Sequence, residues 1–197
     1  VRGIQLWYPE QSLRDPAKVI AYPPTFQVAP GKSVYGVTLS CLSLFGEYRA
    51  FDFACDAAHP SEQILIEHCY GYPLSGKFIT IDRCYDIPRV LHCHVNPATR
   101  RLIDGDYSKE VIDSVVGRGT FSYEIDHTDN AQLLDIFTFG VYGGVRLQPA
   151  TYGQLTQFNL DCVTIGIHKS GDQNFNRNWQ IAQGSIIANA GTDISRI

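Results

Sequence analysis

A chain of 197 residues that is 44% hydrophobic and only 18% charged has enough apolar matter for a sizeable core and too little charge to remain disordered. Its formal charge of -4 supplies no basic stripe, which argues against nucleic acid as a partner. No apolar run approaches the roughly 18–20 residues of a membrane span, which argues against a membrane partner.

The sequence opens at Val1-Arg2-Gly3-Ile4, already inside an apolar run, and contains no methionine and no visible signal peptide. It reads as an excerpt of a longer chain. Residues 1–8 are predicted as a strand, with Trp7 packed in a coil or its cap. A turn-rich stretch to Pro24 and a short strand at 25–28 follow. Beyond it, short apolar runs alternate with Gly and Pro, each run too short for a helix. Six cysteines, at 41, 55, 69, 84, 93 and 162, form no CxxC pair and no zinc-type cluster. They read as buried free thiols packing like small hydrophobes, and no metal site is expected.

From residue 37 an apolar side chain recurs at relative positions 0, +2 and +5. The copies are Val37/Leu39/Leu42, Ile64/Ile66/Cys69, Leu134/Ile136/Phe139 and Leu160/Cys162/Ile165. Val90/His92/Val95 and Ile186/Ala188/Gly191 match with weaker members. Successive first positions differ by 27, 26, 44, 26 and 26 residues. A second set of strands is expected around 51–53, 78–81 and 145–147. A repeat of this length without helices predicts an all-β solenoid, each strand pairing in parallel with its copy about 4.8 Å away in the next coil. A single coil cannot bury its inner face, so stacking supplies the stability. A β-sandwich also has many short strands, but it does not explain the period. The reading is one domain over 1–197 with one polar insertion at 98–130. Within the insertion, 108–115 is predicted as a short helix, with Asp106 or Ser108 as N-cap and Gly117 as stop.

The segments GIQLWYPEQ, YGVTLSCLSL, ILIEHCYGYPLSGKFITIDRCYDIPRVLHCHVNP and YEIDHTDNAQLLDIFTFGVYGGVRL resemble the right-handed parallel β-helix proteins of the pectate-lyase-like superfamily. The similarity is to the branch related to exo-β-1,3-glucanases and phage tailspike depolymerases, and it spans nearly the whole chain. It implies an extracellular or virion-surface protein that acts on or binds polysaccharide, with a homotrimer as a possible assembly. Its motifs are structural, so it implies a fold more specifically than a chemistry, and the superfamily holds hydrolases, lyases, epimerases and inactive binders.

With 0, +2 and +5 pointing inward, +1, +3 and +4 form outward columns. The +1 column places Asp135 and Asp161 on neighbouring coils, the spacing that suits a retaining glycoside hydrolase with one carboxylate as nucleophile and one as acid/base. Mutual repulsion would raise one pKa, as an acid catalyst needs. Two solvated surface carboxylates are the alternative. The +4 column pairs His68 with His94 beside Glu67, read as sugar hydrogen bonding or surface stacking rather than zinc ligation. Tyr70 and Tyr72 fall in a turn, where exposed rings stack on the C–H faces of sugars. The segment 82–89, with Asp82, Arg83, Asp86 and Arg89, reads either as a salt-bridged corner or as an anionic-sugar site. The acid-rich run 124–129, ending in Asp129, is positioned to close the same groove.

Three functions follow: a polysaccharide-degrading glycoside hydrolase without cofactor, a polysaccharide lyase with Ca²⁺ as an option, and a non-catalytic polysaccharide-binding or structural β-helix. No GxxxxGK[ST], no strand-GxGxxG-helix unit and no GxSxG is present, which argues against nucleotide and serine-hydrolase chemistry.

Overall fold

The computed structural model describes residues 1–100, 107–171 and 178–188. It is an all-β parallel solenoid of about six turns, with one short α-helix among the described residues. Every strand pairing between named strands is parallel, because each strand meets its copy one coil on rather than a hairpin partner. The strands Thr38–Ser40, Leu65–Glu67, Arg89–Leu91, Thr128–Leu134, Thr151–Thr156 and Trp179–Ala182 stack into a six-stranded sheet. The remaining long wall is an eleven-stranded sheet. In the early coils this wall is broken at a corner, between Tyr70–Gly71 and Ile79–Asp82 for example. In the later coils it runs unbroken through Phe137–Leu147 and Asn159–Lys169. A short third column pairs Cys84–Tyr85 with Ser61–Glu62.

The 0/+2/+5 spacing describes the inner face, but its frame differs from the sequence reading after the second coil. Leu39, Ile66, Val90, Leu133, Leu155 and Ile181 stand opposite one another, so the coils are 27, 24, 43, 22 and 26 residues long. The inward triplets are Val37/Leu39/Leu42, Ile64/Ile66/Cys69, Pro88/Val90/Cys93, Ala131/Leu133/Ile136, Gly153/Leu155/Phe158 and Trp179/Ile181/Gly184. The frames beginning at 90, 134, 160 and 186 are therefore wrong. The frame at 134 is mimicked by Leu134 and Phe139, apolar side chains on the outer surface.

Between the +3 and +5 positions each coil turns through one left-handed residue. Cys41, His68, His92, Asp135, Gln157 and Gln183 all have φ of 50–55°. Their N–H groups reach forward, as His68 does to Leu91 O and Asp135 to Thr156 O. Two residues later the N–H groups reach back, as Tyr70 does to Leu42 O and Phe137 to Cys93 O. The corner thus keeps both sheets fully hydrogen-bonded while turning the chain. His and Asp are among the residues that tolerate this conformation best.

The insertion is narrower than 98–130. Phe121–Asp126 already pairs with Ile79–Asp82 as an ordinary coil strand. The helix, α1, spans Lys109–Gly117 with Ser108 as N-cap, its side chain accepting from Val111 N. Asp106 lies outside the described residues. Val111, Ile112, Val115 and Val116 of α1 are buried, and the helix packs on the long wall near Gly140. Trp7 is an exposed residue of the strand Gln5–Trp7, not a buried cap. None of the six cysteines is in a disulfide, and Cys69, Cys84 and Cys93 are fully buried.

Close stacking leaves no room at Gly153. A Cβ there would strike the Ala131 carbonyl oxygen and lie 2.8 Å from the Ala131 nitrogen. Gly153→Ala is expected to cost about 1–3 kcal/mol and lower Tm by roughly 3–10 °C, measured by calorimetry.

Candidate functional site

The left-handed corner places a polar ridge beside an aromatic lane. On the ridge, His68 and His92 stack with ring centroids 4.7 Å apart and planes 14° apart. His92 Nδ1 lies 2.8 Å from Asp135 Oδ2 in the next coil. Ser40 Oγ donates to Glu67 Oε1 at 2.9 Å, tying the first two coils together. Two residues beyond the ridge, Ser43, Tyr70, His94, Phe137, Asn159 and Ser185 form one outward column. Its middle is aromatic. Tyr70 and His94 are 6.1 Å apart and tilted, His94 stacks on Phe137 at 4.2 Å, and Phe139 lies parallel to Phe137 at 6.4 Å. Tyr70 is 39% exposed, and the small Ser43 and Asn159 flank the stack. Asn96 Nδ2 lies 3.4 Å from His94 Nε2.

Several sequence expectations are overturned. Asp135 and Asp161 do not face each other. Asp135 is opposite Gln157, whereas Asp161 is opposite Phe139, one coil on and four residues further along, beyond about 10 Å by strand geometry. That spacing excludes a retaining pair at these positions. His68 does not pair with His94, because the second coil is only 24 residues long and brings His92 under His68. Tyr72 cannot meet a ligand. It is 1% exposed, donates to Gly140 O at 2.6 Å and packs edge-on against Tyr107 beneath the insertion. The 82–89 corner is not internally salt-bridged: Asp86 accepts from Gln63 Nε2 at 2.6 Å, and Arg89 Nε donates to Gln132 Oε1 at 3.2 Å. Asp129 lies at the start of Thr128–Leu134, outside the lane. Glu67, His68, Tyr70 and His94 do come together. His92, Phe137 and Phe139 join them unforeseen, and a frame starting at Pro88 and Ala131 would have found them.

A second cluster forms at the far corner of the long wall. Asp82 and Asp126 are directly opposite each other on neighbouring coils, and the left-handed residue His127 holds Asp82 Oδ1 at 2.9 Å through Nδ1. The three ligand atoms lie within 4.8 Å of one another, close enough to surround a metal ion. Burial, with a smaller push from the Asp82 charge, raises the Asp126 carboxyl above its ordinary range, although His127 opposes this. The two acid-rich segments, 82–89 and 124–129, thus meet here.

Comparison with known family profiles, with curated proteins and with solved structures returned no match.

Burial holds the His94 imidazole below its ordinary value of 6.5, while the Asp135 carboxylate works in the opposite direction. Asp135→Asn is expected to lower the His94 pKa further, read by NMR titration of the ring. Since the folded chain takes up this proton less readily than the unfolded one, the His94 contribution to stability is full above 6.5 and declines as pH falls through that value. His94→Phe should remove this component, measured as the change in Tm between about pH 7 and about pH 5.

Proposed function

We propose that this chain is a polysaccharide-binding β-helix protein, in line with its resemblance to the pectate-lyase-like superfamily, and that the glycan lies along the Tyr70–His94–Phe137 lane. The observation that carries this reading is the aromatic stack itself. The left-handed corner alone accounts for His68, His92 and Asp135, because the backbone favours such residues there. Tyr70, His94 and Phe137 sit on extended strand positions, where nothing in the backbone calls for rings on the outer face. Rings offer apolar surface to sugar C–H faces, and Glu67, His92, Asn96 and Asp135 beside them offer hydrogen bonds to hydroxyl groups.

A second reading, glycoside hydrolysis, is favoured by one observation at the other corner. Asp82 and Asp126 have the adjacent-coil spacing that a nucleophile and an acid/base require, and Asp126 is the one held toward its protonated form. Asp126 would donate to the glycosidic oxygen while Asp82, oriented by His127, attacks the anomeric carbon.

Screening neutral and acidic polysaccharides by affinity electrophoresis tests the first reading. Tyr70→Ala and His94→Ala are expected to weaken retardation about tenfold or more with Tm nearly unchanged. Wild-type protein that binds no polysaccharide, or variants that bind as well as wild type, would overturn it. Release of reducing ends that disappears in Asp126→Asn, with binding retained, would support the second reading, and retention of turnover in that variant would remove it.

A further inference from the structure

The corner that interrupts the long wall in the early coils carries a third feature. The first coil breaks there at Tyr48 and Arg49, the second at Ser75 and Lys77, and the third returns from the insertion at Arg118 and Thr120. These six residues line an open cleft of about 390 Å³. Each of three successive coils therefore delivers one cation to one place, in a chain whose overall charge is -4. Phe51 is opposite Ile79, so Arg49 and Lys77 occupy matching positions one coil apart.

The cations are held differently. Arg49 pairs with Asp52 at 2.8 Å and Lys77 with Glu124 at 2.6 Å, while Glu124 also faces Arg146 at 3.6 Å. Glu47, the residue before Tyr48, is buried with its carboxylate against Gly71. Arg118 has no carboxylate partner among the described residues. Its guanidinium lies over the Tyr48 ring, 5.5 Å from the centroid, and Nη1 is 3.4 Å from the Tyr48 hydroxyl. A guanidinium has five N–H donors in a planar fork that matches an oxyanion, and among the described residues most of those on Arg118 have no acceptor. The cation–π contact with Tyr48 and the approach to its hydroxyl restrain the fork in advance. The cleft floor is also fixed, because Thr120 Oγ1 donates to Ser75 O at 2.7 Å and Ser75 Oγ accepts from Lys77 N at 3.2 Å. Gly76, at φ +78°, lets these segments approach, and a Cβ there would collide with Thr120 Oγ1.

We propose that this cleft binds an oxyanion substituent, a carboxylate or sulfate group, of an acidic glycan, with Arg118 as the principal ligand and Lys77 and Arg49 supplying supporting charge. The glycan source rests on the polysaccharide-binding reading above; the oxyanion chemistry does not.

Isothermal titration separates the two. The probes are a uronic-acid tetrasaccharide, a neutral glucan tetrasaccharide and sodium sulfate, each against wild type, Arg118→Gln and Tyr70→Ala. The expected result is that the uronide binds wild type, with affinity falling as salt is added, and that Arg118→Gln weakens it at least tenfold without changing affinity for the neutral oligomer. Equal uronide affinity in wild type and Arg118→Gln would overturn the proposal while leaving the polysaccharide reading intact. Sulfate binding that is lost in Arg118→Gln, with neither oligosaccharide bound, would overturn the glycan source together with the polysaccharide reading. Thermal melting of Arg118→Gln within a few degrees of wild type confirms that the comparison is between folded proteins.

Discussion

Parallel hydrogen bonding between coils, one strand spacing at a time, governs everything else in this molecule. A coil has no hairpin partner and no second sheet of its own to complete it, so its N–H and C=O groups and its inner side chains are satisfied only by the coils above and below. Ile66, Val90, Leu133 and Leu155 are almost wholly buried because each is sandwiched between copies of itself. The same rule makes glycine obligatory where two backbones come closest, and it aligns outward side chains into columns whether or not a column has a use. A column of like residues is thus the default product of the fold. Function must be sought where a column holds residues that stacking does not explain.

That criterion separates the two faces of the first corner. Left-handed backbone selects His68, His92 and Asp135 as much as any ligand would, so their proximity is weak testimony. Tyr70, His94 and Phe137 are different, since an outward strand position is satisfied by Ser43 or Ser185 in the same column. The opposed carboxylates of Asp82 and Asp126 pass the same test. Like charges across a ladder are destabilising, and here the cost is eased by His127 on one carboxylate and by the upward shift of the other.

The solenoid was legible in the sequence because the inner face obeys a spacing that survives every coil, 0, +2 and +5. The frame was not, for two physical reasons. Coil length is free to vary wherever the corners lie outside the sheets, so a constant 26-residue period was a false guide to coils of 24 and 22. The outer face is also apolar at Leu91, Leu134, Phe137 and Phe139, which removes the polar alternation that would have anchored the register. The loss propagates directly to the site. With the frame shifted, Asp135 was matched to Asp161 and His68 to His94. Glu67 lies in the second coil, where the frame is right, and faces outward as expected, whereas Tyr70, expected in a turn, occupies the strand Tyr70–Gly71. Tyr72 follows the outward pattern, and only the insertion packed over it, a tertiary contact with no local signal, takes it out of reach.

The interrupted wall has a consequence for how such a scaffold can change. In the third coil the chain leaves the sheet after Val95 and rejoins it at Phe121, with the strands on either side in undisturbed register. Material spliced in at that corner need satisfy only its own surface, as α1 does, while the stack beneath is indifferent to its length. The early coils are therefore open to remodelling, and the unbroken strands Phe137–Leu147 and Asn159–Lys169 are closed to it. Innovation and conservation of form are divided along the axis of a single molecule, with new recognition surfaces arising at one end and rigidity supplied by the other.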